Sequence, residues 1–132
     1  EDPATLEWWE RQSEEARHTL LAANKADDSK PIKSVLNDVM ILFGNLANGK
    51  RKDLRIWGNG ATFDPPILEH AFQTCGFEVP WEFYNVRCYR TLKMLKPSIK
   101  MTRTGTHHNA LDDALSQAEH AVRIMNDIGG WE

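Results

Sequence analysis

LRIWGNGATFDPP, residues 54 to 66, changes character twice within thirteen positions. Leu54-Arg55-Ile56-Trp57 is a short apolar-rich run, and Gly58-Asn59-Gly60 ends it. That pattern is a strand delivering a loop. Asp64-Pro65-Pro66 then reads as a helix opening, with an acid at the cap and proline in the first turn. Strand, loop and helix in this order argue for an α/β sheet with covering helices. Open α/β sheets bind ligands beyond the carboxyl ends of their strands, so Asp64 is a first candidate site residue. By itself it is also an ordinary helix cap.

The flanks supply the covering helices. Upstream, Ile32, Val35, Leu36, Val39, Met40, Leu42, Phe43 and Leu46 follow helical spacing, and Gly49 is a plausible stop. Downstream, Ile67, Leu68, Ala71, Phe72 and Cys75 form one side of a helix closed by Gly76. A short strand is expected near 84–88 and a helix over 91–95, stopped by Pro97. At the front, Asp2 caps a helix with Pro3 at its first position, carrying Leu6, Trp8 and Trp9. Ser13 looks like a second cap, followed by Glu14 and Glu15, with Leu20 and Leu21 as that helix's apolar side. Residues 23–31 and 98–107 read as loops. The last helix is expected from His108 to Ile128, with Leu111, Ala114, Leu115, Ala118, Val122 and Met125 facing a core. Only one or two strands convince, and a sheet needs more. Either part of it lies before Glu1, or the chain is unusually helical.

The 132 residues fit one domain. With 41% hydrophobic and 27% charged residues, a packed core is expected and disorder is not. Net charge is -3, which argues against a module that grips nucleic acid by bulk positive charge. An enzyme that holds phosphates through metal ions remains open, because such a site is itself acidic. Two cysteines are too few for a disulfide framework, so a reducing, cytoplasmic setting is expected. No apolar run approaches the roughly 18 residues of a membrane span.

THHNALDDAL, residues 106 to 115, sets two histidines before two aspartates at a helix entrance. A carboxylate such as Asp113 suits a hard cation such as Mg²⁺ or Mn²⁺. An imidazole such as His108 titrates near neutrality and can take a proton from an activated water. His-x4-Asp alone is weak, and acids in a first helical turn also suit the helix dipole. Asp64 and Asp113 with a histidine are nonetheless part of what a two-metal phosphoryl-transfer site needs. Two ions usually need three or four carboxylates.

Together, WGNGATFD, RCYRTL and THHNALDDA resemble the DnaQ-like 3'-5' exonucleases with an Asp-Glu-Asp-Asp-His site. The RNase AS-like exoribonucleases, and prophage enzymes named exodeoxyribonuclease VIII, are the most similar branch. The resemblance covers nearly the whole chain. It implies a ribonuclease H-like mixed sheet flanked by helices, and hydrolysis of phosphodiester bonds at single-stranded DNA or RNA 3' ends. It implies Asp64 and Asp113 as metal ligands of a Mg²⁺ or Mn²⁺ pair, and His108 as general base. Ala114 follows the last acid as in the family pattern, which selects Asp113 over Asp112; the spacing then selects His108 over His107. Asn59 and Arg103 are the substrate-binding candidates; the second motif departs from the usual His-Asn-Ala-x-Phe-Asp at its first two positions.

The family's first motif, Asp-x-Glu on an apolar strand, is the larger departure. Neither Glu7-Trp8-Trp9-Glu10 nor the polar sequence around Asp28 supplies it. The expectation is one incomplete exonuclease domain over 1–132, truncated before its first strands, helix-rich and defective as it stands. The alternative is a noncatalytic interaction module for nucleic acid or protein on a decayed exonuclease fold. A homodimer is compatible with either. One of Trp8 and Trp9 is expected in a core, the other free to stack on a base or a partner. Trp57 reads as packed, His107 as a solvated neighbour, Arg90 as an ion-pair or phosphate residue, Cys75 as helix core and Cys88 as a strand residue.

Overall fold

The computed structural model describes residues 2–18 and 30–130. Leu20, Leu21 and most of the 23–31 loop lie outside the described residues. The elements in order are α1 (Pro3–Glu10), α2 (Ile32–Leu46), β1 (Ile56–Gly58), α3 (Asp64–Thr74), β2 (Val86–Cys88), α4 (Tyr89–Leu95) and α5 (Ala110–Asp127). Residues 14–18 are also helical, and the amide of Ala16 donates to the Ser13 hydroxyl at 3.2 Å. Short 3-10 turns occupy Arg51–Asp53 and Phe83–Asn85. The result is a helix-rich mixed α/β chain with a two-stranded parallel sheet. It divides into two compact units, Lys30–Pro97 and the combination of Glu1–Ser29 with Ser98–Glu132.

In the Lys30–Pro97 unit, β1 and β2 run parallel with Ile56 opposite Val86, Trp57 opposite Arg87 and Gly58 opposite Cys88. Parallel neighbours need a crossover, and α3 lies within it. Leu36 of α2, Ala47, Leu54, Phe72 of α3 and Trp81 form the buried core, with Phe43, Ile56, Leu68, Ala71, Cys75 and Val86 packed against it. Phe72 and Trp81 meet edge to face at 5.9 Å, and Trp81 Nε1 donates to Glu69 at 3.1 Å, so the buried indole N–H is satisfied. Buried Asn85 ties the two 3-10 turns together by donating to the carbonyl of Lys52 at 2.8 Å. Trp57 is not packed as expected. It lies between Ile56 and Gly58 on a three-residue strand, so alternation turns it to the opposite face, and it is exposed.

In the other unit, Asp2 caps α1 as expected, accepting from both the amide and the hydroxyl of Thr5. Helix α5 departs from its expected packing. Leu111, Leu115 and Val122 are exposed, and of the apolar row only Met125 is buried. Ser116, His120 and Ile124 form the buried line instead. The loop before α5 explains why polar residues can be buried there. The amide of Thr104 donates to the Ser116 hydroxyl at 3.1 Å, and His120 Nε2 donates to the carbonyl of Ile99 at 2.7 Å. Both buried polar side chains of this line are therefore partnered.

Candidate active site

The segment 103–113 is built by α5's own first turn. The helix begins at Ala110 rather than His108 because Asn109 caps it, its Oδ1 accepting from the amides of Leu111 and Asp112. Asp112 Oδ2 accepts from the Thr106 amide at 2.8 Å. Gly105, at φ +74, is required where the loop crosses that carboxylate, since an added Cβ would lie 2.3 Å from Asp112 Oδ2. Asp112 thus fastens the loop that leads into α5.

His108 has φ +68, a left-handed conformation uncommon for a residue with a side chain. Its amide donates to Asp113 Oδ2 at 3.2 Å, and the Asp113 amide donates to the carbonyl of Asn109 at 2.9 Å. Base candidate and acid candidate are therefore locked through the backbone. Asp113 Oδ1 accepts from Arg103 Nη1 at 2.5 Å, so Arg103 is an ion-pair partner of the acid in this state. His107, expected to be only a solvated neighbour, stacks on His108 at 3.8 Å between ring centroids. Ligand atoms of His107, His108 and Asp113 lie within 4.8 Å of one another. The left-handed turn at His108 brings the two rings together, and residue spacing carries no sign of it.

Trp8 and Trp9 also reach this cluster. Trp8 meets His108 edge-on at 4.9 Å, Trp9 at 6.2 Å, and the two indoles meet each other at 5.0 Å. Adjacent helical residues point about 100° apart, yet their long side chains converge on one imidazole. Neither Trp8 nor Trp9 is buried.

The second set of candidates follows the carboxyl ends of β1 and β2. Gly58 admits no side chain, since a Cβ there would lie 2.9 Å from both the carbonyl of Gly60 and Cδ of Pro65. Asp64 is not the cap of α3 but its first residue; Phe63 takes the cap position and supplies no side-chain bond. The Asp64 carboxylate is exposed and makes no hydrogen bond among the described residues. Asn59 Oδ1 is buried without a hydrogen-bond partner. The Arg90 guanidinium lies against Gly60.

Residues 1–125 match the 3'-5' exoribonuclease Rv2179c-like domain. The chain belongs to that family. No curated protein and no solved structure matches it. The family's activity, 3'-5' exoribonuclease, has nucleic acid as its substrate class and hydrolysis as its chemistry. No helix among the described residues is long and apolar enough to cross a membrane.

One further group in this exoribonuclease-family chain was not legible in the sequence. The Cys88 thiol, at the end of β2, is lowered from its usual value to about 7. The Thr91 hydroxyl is the largest cause, followed by the backbone amides of Thr91 and Ala61, all favouring the thiolate. A depressed thiol stabilises the fold most fully above its unfolded pKa, and that contribution is lost as pH falls through about 7. Alkylation of Cys88 by iodoacetamide, followed by mass spectrometry, is expected to show a rate midpoint near pH 7. Thr91→Val should move that midpoint upward. A midpoint near the usual thiol value in the unsubstituted protein would contradict this account.

Proposed function

We propose that the chain carries the second and third motifs of a metal-dependent 3'-5' exonuclease of the DnaQ-like class. The observation that carries this reading is the His108–Asp113 lock within a chain whose family is 3'-5' exoribonucleases. Residues 1–132 then form one exonuclease domain of ribonuclease H-like design, acting on single-stranded 3' ends. Two free cysteines suit a cytoplasmic setting.

Asp113 and Asp64 are the proposed ligands for Mg²⁺ or Mn²⁺, since hard cations prefer carboxylate oxygen. Taken each in its own unit, Asp64 is exposed and makes no hydrogen bond among the described residues, and ligand atoms of His107, His108 and Asp113 lie within 4.8 Å of one another. A divalent ion, when bound, supplies positive charge that acidifies water and offsets charge on the phosphate. The remaining work belongs to the side chains. Asp113 holds the His108 backbone, which fixes where the imidazole can receive a proton on a ring nitrogen. Arg103 neutralises Asp113 in this state, and a guanidinium at that position could pair with a phosphate in the bidentate manner arginine favours. Asn59 remains the other proposed substrate contact, its buried oxygen still open to a donor.

No Asp-x-Glu occurs in residues 1–132. Two acids are fewer than two metal ions require, so the residues in hand are proposed to be defective alone. That shortfall, together with the Arg103–Asp113 pair, also favours a second reading: a noncatalytic nucleic-acid-binding module. The two separate by experiment. A protein extended at its N-terminus to supply an Asp-x-Glu strand should shorten single-stranded RNA with Mn²⁺, stop with EDTA and resume on readdition. Residues 1–132 alone should be far slower. Inactivity of the extended protein supports the binding module, and equal activity of the two forms contradicts the proposed defect.

A further inference from the structure

Helix α1 places two indoles against the candidate base, and no part of the mechanism above uses them. Trp8 is 45% exposed although it touches both Trp9 and His108. A large aromatic residue that packs on one side and stays open on the other can take a ligand on its free surface. Beside it lies an open concavity of about 400 Å³ lined by Asp2, Ala4, Thr5, Trp8 and Trp9. Its chemistry is selective. The Thr5 hydroxyl is already spent on Asp2, so it is not free to donate to a ligand. The Asp2 carboxylate is likewise occupied, accepting from both the amide and the hydroxyl of Thr5. What suits this surface is a flat, neutral aromatic group.

We propose that Trp8, backed by Trp9, is the stacking platform for the 3'-terminal nucleobase of the substrate strand. The assignment rests on the exonuclease reading, because a phosphate handled at His108 and Asp113 carries its own base within one nucleotide's reach of the neighbouring ring. Stacking on a π-face is tolerant of sequence, since every base offers one. The platform therefore grips the end of a strand without reading it. That compensates for a chain whose net charge of -3 provides no long basic channel.

The test measures binding, not cleavage. Fluorescence anisotropy of a 5'-fluorescein hexaribonucleotide with a free 3' end would be recorded with residues 1–132, for the unsubstituted chain, Trp8→Ala and Trp8→Phe. Loss of a base–aromatic stack is expected to raise Kd by about 5- to 100-fold in Trp8→Ala. Trp8→Phe should stay within about threefold, because the π-face is kept. The same oligonucleotide with an abasic 3'-terminal residue should bind the unsubstituted chain as weakly as the intact oligonucleotide binds Trp8→Ala. It should lose nothing further against Trp8→Ala, and the loss read on the unsubstituted chain is one that misfolding of the variant would not produce. Equal Kd for Trp8→Ala and the unsubstituted chain overturns the platform and leaves the exonuclease reading standing. No binding of the oligonucleotide by the unsubstituted chain overturns both.

Discussion

His108→Asn and Asp113→Asn are each expected to slow 3'-end trimming by about 10²–10⁴-fold, the range for losing a positioned acid or base. The measurement is made on a protein extended at its N-terminus so as to supply an Asp-x-Glu strand. Asparagine is the informative replacement at both positions. At position 108 it tolerates the left-handed conformation that alanine would resist, so the backbone stays in place while the imidazole is lost. At position 113 it keeps the shape and an acceptor for the His108 amide while removing the charge. Thermal unfolding should move little, because Asp113 is only half-buried and sits at a helix start. Trimming at the unsubstituted rate in either variant would remove that residue from the mechanism. The neighbouring acid gives the contrast. Asp112→Asn should retain activity, since the proposed mechanism leaves the Asp112 carboxylate to the Thr106 amide.

The largest expected effect on stability lies in the other unit. Phe72 is fully buried among Leu36, Leu54 and Trp81, so Phe72→Ala removes a ring and leaves a void. Such truncations cost about 3–5 kcal/mol. Against the 5–15 kcal/mol typical of whole domains, that loss takes away a large share of the stability of Lys30–Pro97. Urea unfolding followed by tryptophan fluorescence reports it through Trp81, which packs directly on Phe72. Leu46→Ala is the control. Leu46 belongs to the apolar spacing of α2 but is 67% exposed, and its replacement should change stability by under about 0.5 kcal/mol. A loss above 2 kcal/mol at Leu46, or one below 1 kcal/mol at Phe72, would mean that the core is drawn in the wrong place.

Strand, loop and helix order were legible at 54–66 because local chemistry decides them. Ile56 and Trp57 are strand formers, Gly58 has no room for a side chain, and Pro65 and Pro66 can only open a helix. Boundaries shifted where a cap competed with the pattern: Asn109 rather than His108 starts α5. The distinction between Asp112 and Asp113 came only through the family pattern. What could not be read was set by partners distant in sequence. Ser116 and His120 look like surface residues until Thr104 and Ile99 supply their hydrogen bonds. Trp8 and Trp9 point apart on a helical wheel, yet both reach an imidazole a hundred positions later. Arg103, a phosphate-contact candidate in the sequence, pairs with Asp113 in this state, where that carboxylate is the anion within its reach.

The central claim, that His108 and Asp113 serve a 3'-5' exonuclease, is tested most directly by the end from which a strand shortens. A 5'-labelled single-stranded RNA is incubated with the extended protein and Mn²⁺, and the labelled products are resolved by length over time. The account predicts a ladder that loses one nucleotide at a time from the 3' end and is absent with Asp113→Asn. Labelled mononucleotide released at once, internal cuts, or an unchanged ladder with Asp113→Asn would contradict it.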